Sequence, residues 1–213
     1  MKDWYRRKTW TKIDQEEFFL KLNRARKNSR AQYLKIQAIE LVETRDSKLL
    51  EVAENLLNQI LAEYPDNRIE KGPVLHTLGD IYKIRKSYDK AISYYKAALD
   101  FEKIFPNVIT EAYLDYSELV VKTNATNLFV DVEALLLKKE PNLTWPIEKY
   151  KVYSLLAIIN KHHNQSEKTK HFSQLAEQNA NAENSGFRYH KNLGVVNKRD
   201  EWLDREASPG PGE

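Results

Sequence analysis

Three histidines, His162, His163 and His171, fall within ten residues of one another. Histidine is the commonest side-chain metal ligand and titrates near neutral pH, so such a cluster could hold a cation or move a proton. Its spacing argues otherwise. His162 and His163 are neighbours, whereas paired ligands on one helical face stand four residues apart, as in H-E-x-x-H. Histidine near a helix C-terminus more often answers the negative end of the macrodipole. Glu16 and Glu17 fail as an acid-base pair for a related reason, because adjacent helical residues project from different faces. No phosphate-cradling glycine loop, G-x-S-x-G elbow or H-E-x-x-H occurs, and the chain holds only six glycines. The expectation is a non-catalytic protein with no cofactor and no metal.

The other chemistry-bearing cluster is "WYRRKTW" at residues 4–10, where aromatics interleave with cations in the manner that stacks bases and neutralises phosphates. Residues 1–30 hold ten Lys/Arg against four Asp/Glu, a net +6 in a chain of net +3, so the remainder carries −3. Arg6, Arg7 and Lys8 are therefore candidates for contact with nucleic acid or an acidic partner. The plainer account has Trp4, Tyr5 and Trp10 packing against the fold while the cations stay in water, and nucleic acid is the lesser reading.

With 213 residues, 41% hydrophobic and 31% charged, the chain has the composition of one or two globular domains. The absence of cysteine excludes disulfides, thiolate metal sites and a cysteine nucleophile, and suits a reducing compartment. The N-terminal stretch lacks the apolar run of a secretion signal, and runs such as "LLAII" from Leu155 are too short to span a bilayer. The expected location is cytoplasmic, with no membrane contact.

The elements that must position any site are legible in "LGDIYKIRKSYDKAISYYKAALDFE", Leu78 to Glu102. Leu75, Leu78, Gly79 and Tyr82 form one stripe of a helix over about 73–84, and Ala91, Tyr95 and Ala98 form a stripe of a second over about 88–102. Small Gly79, Ala91 and Ala98 let the two backbones approach, with tyrosines filling the gaps beside them. Glycine costs about 1 kcal/mol against alanine within a helix, so close packing is its physical reason. Leu78, Gly79, Tyr82, Tyr88, Ala91, Tyr95 and Ala98 resemble the pattern of the tetratricopeptide repeat family, with Leu75 in the tryptophan place and the final proline displaced to Pro106.

A shift of 38 residues upstream matches Ala53, Leu57, Ile60 and Pro65 to a second helix, partnered by Leu34, Ala38 and Leu41 across a turn at "TRDS". A shift of 38 downstream places Tyr113, Tyr116, Ser117 and Val120 on a first helix and ends the second at Pro141, with Glu133 where an aromatic is expected. A further shift of 40 aligns Tyr153, Leu156, Ala157 and Ala176 around the turn "HHNQSE". An isolated hairpin cannot cover its apolar face, which is why such copies stack.

The predicted organisation is a basic N-terminal segment and capping helix over 1–30, a repeat array over 31–184, a C-terminal capping segment over 185–206 and a disordered tail over 207–213. Asp14 is expected as the N-cap of the first helix, with Glu17 completing a capping box. Gly186 is expected as the stop of the last array helix, with Phe187, Leu193 and Trp202 packing the end. The resemblance implies an all-α, right-handed superhelical solenoid of about four hairpins.

It also implies a protein-binding scaffold or adaptor that grips a protein segment in a groove lined by first helices. The outward residues of those helices are Lys35 and Ile39; His76, Asp80 and Lys83; Leu114, Glu118 and Val121; and Ser154, Ile158 and Lys161. Family members that clamp a chaperone's terminal carboxylate place lysine and asparagine at such positions. Asp80 would repel that carboxylate, which argues against a chaperone co-factor role. Two other functions fit the sequence: an inhibitor or immunity-type protein that occludes one toxin or enzyme, and an RNA-associated regulator acting through Arg6, Arg7 and Lys8.

Overall fold

A computed structural model describes residues 3–209, and among these the chain is all-α, with ten α-helices and no strand. It divides into two compact units, Met1–Ala112 and Tyr113–Glu213, with the boundary between the second and third predicted hairpins. No helix among the described residues is long and apolar enough to cross a membrane.

The first unit contains α1 (Lys12–Arg24), α2 (Lys27–Val42), α3 (Ser47–Glu63), α4 (Arg68–Ile84) and α5 (Tyr88–Ile104). Helices α2 and α3 pair, as do α4 and α5, and α4 also packs on α2 and α3. Their shared core includes Leu34, Ala38, Leu41, Ala53, Leu57, Ile60 and Leu78. Phe18 and Leu22 of α1 enter this core.

Two helix starts differ from expectation. The N-cap of α1 is Thr11, whose hydroxyl accepts the Asp14 amide while the Asp14 carboxylate accepts the Thr11 amide at 2.9 Å. Asp14 is therefore the third helical residue of the capping box and not its cap. Helix α4 begins at Arg68, before Pro73, because the Asn67 side chain accepts the Glu70 amide and starts the helix one turn earlier. Proline lacks only one donor there, and Pro73 remains inside the helix.

The second unit contains α6 (Ala112–Lys122), α7 (Phe129–Lys139), α8 (Pro146–His162), α9 (Ser166–Ala180) and α10 (Glu201–Ala207), with short 3-10 turns at Thr126–Leu128 and Glu140–Asn142. Helix α8 packs against α9, α7 and α10. Pro141 falls within the turn that follows α7, where the sequence placed the stop. Half-buried Glu133 accepts a 2.9 Å hydrogen bond from Asn160, so a polar pair replaces the expected aromatic contact.

Helix α9 ends at Ala180, earlier than Gly186, and the amide of Asn181 makes the last backward bond, to Glu177. Gly186 instead sits in the following loop. At the far end Phe187 and Leu193 are 44% and 55% exposed, while Leu203 is fully buried, so Leu203 and not those two seals the C-terminal segment. Helix α10 runs through Ala207, the first residue of the predicted tail; residues 210–213 lie outside the described residues.

One backbone feature repeats through both units. Arg45, Lys86, Asn124 and Asn164 are the only described non-glycine residues with positive φ, at 57°, 59°, 53° and 56°. Each follows the first helix of a hairpin. After the last three, the amides of Ser87, Ala125 and Gln165 bond to carbonyls five residues back, on Tyr82, Val120 and Asn160. This left-handed, six-to-one closure satisfies the orphan carbonyls of a helix end.

Candidate functional site

Arg6, Arg7 and Lys8 pair with carboxylates of the first unit itself. Arg6 reaches Glu40 at 2.8 Å, Arg7 bonds both Asp14 and Glu17, and Lys8 reaches Glu43 at 3.0 Å. Trp4 packs on Phe18 and Tyr33, and Trp10 on Phe18. Asp14 is held down to about 2, first by the Thr11 amide and then by the Thr11, Thr9 and Arg7 side chains, which outweigh burial.

Of the predicted wall residues in this unit, Lys35 forms a 2.5 Å ion pair with Glu70, their side chains 18% and 7% exposed. Ile39 and Lys83 are half-buried. His76 lies 4.0 Å from Asp80, and Asp80 accepts a 2.7 Å hydrogen bond from the Tyr95 hydroxyl. The structure thus brings His76 and Asp80 together, and ties Lys35 to α4.

In the second unit three wall residues are not open to solvent: Leu114, Val121 and Ser154 are 9%, 4% and 1% exposed. Helix α6 has only eleven residues and carries Leu114, Leu119, Val120 and Val121, so it has little polar face to leave outside. Glu118 faces two lysines, Lys122 at 2.8 Å and Lys151 at 3.4 Å. Ile158 is half-buried. Lys161 donates to the carbonyls of Glu206 and Ser208, at 3.4 and 2.8 Å.

Those carbonyls belong to the end of α10, which lies along α8. Asp200 caps α10 by accepting the amides of Trp202 and Leu203. Tyr150, four residues before Ser154, donates to Asp204 at 2.9 Å and accepts the Asp200 amide at 3.1 Å. Ser173 of α9 donates to the Ala207 carbonyl, and Arg199 grips both Glu177 and Asp204. Lys122 pairs with Asp200 at 3.0 Å and lies 5.2 Å from the Trp202 ring centroid. Leu203 and Ala207 are the buried apolar contacts of α10.

Electrostatics follow this geometry. Burial and the Asp204 carboxylate push the Tyr150 hydroxyl up to about 12. Arg199 and Asn181 hold Glu177 down to about 2 despite burial. Burial disfavours ionised Asp200, but Lys122 and the amides of Leu203 and Trp202 outweigh it and lower its pKa. Between α8, α9 and α10 remains a cavity of about 350 Å³ lined by Ser154, Lys170, Gln174, Asp204, Ala207 and Ser208, among others. The Ser154 hydroxyl, on a buried residue, has no hydrogen-bond partner.

Sequence reasoning named Ser154 and Lys161 as outward wall residues and did not single out Tyr150, Ser173, Arg199 or Leu203. The available signal was local: Asp200 before the apolar step from Leu203 to Ala207 marks a capped helix with one buried edge. His162 and His163 lie against the Phe129 ring, at 5.1 and 6.5 Å between centroids, and His171 against Phe172. No protein-family model, curated protein or solved structure matches the chain.

Proposed function

We propose that the protein is a non-catalytic adaptor of tetratricopeptide-like helical hairpins that works in the cytoplasm by holding a segment of another protein against its first helices. The observation that carries this reading is α10. A segment separated from α9 by twenty residues without helix lies along α8, bonded by Tyr150, Lys161 and Ser173. A face that orders seven residues of chain by side-chain bonds to a helix and its terminal carbonyls has the chemistry needed to order a foreign segment. The left-handed residue shared by all four hairpin turns, with the same closing bond in three of them, supports the repeat reading, since stacking requires such regularity. Arg6, Arg7 and Lys8 already face carboxylates, which favours the adaptor reading over a nucleic-acid role.

The test is affinity capture from a cell lysate with quantitative mass spectrometry, comparing the native protein with an Asp80→Asn/Lys83→Glu variant of equal helicity. One or a few proteins held by the first and lost by the second are expected. Recovery of nothing beyond what an unrelated helical protein recovers would overturn the reading.

A further inference from the structure

The fit of α10 to its bed is incomplete in a specific way. Its buried apolar residues are only Leu203 and Ala207, and much of its attachment is polar: Tyr150 on Asp204, Lys122 on Asp200, Ser173 and Lys161 on terminal carbonyls, and Arg199 just before it on Glu177. Beside it a cavity of about 350 Å³ stays open, and Ser154, whose buried hydroxyl has no hydrogen-bond partner, is among the residues that line it. A buried hydroxyl without a partner is costly, so an occupant that supplied one would bind better than α10 does. At seven residues α10 is also too short to hold its helix alone, so its order depends on this bed.

Its approach is suited to release. The loop before it is anchored at Gly194, whose carbonyl accepts the Ile147 amide at 2.8 Å. Gly194 has φ +73°, and a side chain there would collide with Trp145. Between that anchor and Asp200 lie only residues 195–199, which form a short tether that keeps α10 at high local concentration.

We propose that α10 is a displaceable internal ligand of a docking groove on α8 and α9. The groove's external partner is a short acidic helix with an N-capping aspartate, a leucine three residues on and a second aspartate after it. Where α10 carries Ala207, that helix presents a hydrogen-bonding side chain. The acidity follows from the groove's cations, Lys122, Lys161 and Lys170. The polar residue follows from the cavity that Ser154 and Ala207 share. This rests on the adaptor reading and names the chemistry and regulation of its site.

The probe is a fluorescent peptide of residues 198–209, titrated by anisotropy into the full chain and into an Asp200→Asn/Asp204→Asn variant, whose altered groups lie on α10 and leave the groove intact. The variant should bind the peptide at least tenfold more tightly than the native chain, and the same peptide with Leu203→Asp should bind neither. Ala207→Asn in the peptide should tighten binding threefold or more, a gain that Ser154→Ala in the protein erases. Faster amide exchange at residues 201–207 in the variant should report release directly. Equal peptide affinity for both proteins, or a gain from Ala207→Asn that survives Ser154→Ala, overturns the proposal. A variant that dimerises by exchanging α10 and resists the peptide also overturns it, in favour of a second copy as occupant. Failure here with lysate partners retained would leave the adaptor reading standing, whereas peptide binding without lysate partners would count against that reading alone.

Discussion

Gly79 lies directly beneath the ring of Tyr95: a Cβ built on the glycine would overlap the ring's Cδ1 and Cε1 atoms. Tyr95 is fully buried, and its hydroxyl reaches past the glycine to the next residue, Asp80. Helices α4 and α5 are thus set at a distance that only a hydrogen side chain permits. Gly79→Leu should cost about 1 to 3 kcal/mol by overpacking, measured by urea unfolding. Asp80→Asn, which retains an acceptor, should cost less than Asp80→Ala; equal losses would remove the Tyr95 bond from the account.

The left-handed residues make an opposite prediction. Lys86 holds φ 59° in the turn between α4 and α5, a conformation glycine adopts without the Cβ penalty. Lys86→Gly should therefore raise stability by about 0.5 to 1 kcal/mol, after the entropy glycine restores to the unfolded chain. A drop in melting temperature would show that the lysine side chain has a role the turn geometry does not reveal.

Lys35 and Glu70 test whether a predicted wall residue is structural. Removing Lys35 strands Glu70, which is only 5% exposed, so Lys35→Met should destabilise by about 3 to 5 kcal/mol. Lys35→Met/Glu70→Leu should recover most of that loss, because burying neither charge is often as favourable as burying both. A double variant as unstable as the single one would sink this assignment.

Acid should loosen the two carboxylate-dependent ends. Asp14 and Glu177 both have folded pKa values lowered to about 2, so the stability they lend is present above their ordinary values near 4 and is lost as pH falls through 2. Hydrogen exchange should quicken in α1 and α10 across that window. Asp14→Asn should flatten the response of α1 alone.

At the basic end, Tyr82, Tyr150 and Tyr153 should ionise near 12. Tyr82 is raised chiefly by its bond to Glu54, and the other two by burial with Asp204 and Glu140 as partners. Raised phenol values mean that stability is full below the unfolded value near 10 and declines as pH passes 12. Ultraviolet titration should resolve this late class among the twelve tyrosines, and Tyr150→Phe should remove one member.

The sequence alone determined which residues form helices in hairpins, because apolar spacing and small residues at contact points are local consequences of helix geometry. Gly79, Ala91, Tyr95 and Ala98 could be paired before any coordinates, and Pro141 marked a true stop. Caps were less legible: Thr11, Asn67 and Asn181 each displaced an expected boundary, since several nearby polar residues compete for the same orphan amides and carbonyls. Tertiary structure alone decided what the wall residues face. Lys35 meets Glu70 from another helix, Ser154 is buried on the helix along which α10 comes to lie, and Arg6, Arg7 and Lys8 find carboxylates as many as 35 residues away. Helical periodicity specifies a direction around one axis, but charge pairing and burial depend on which distant segment comes to lie along that direction.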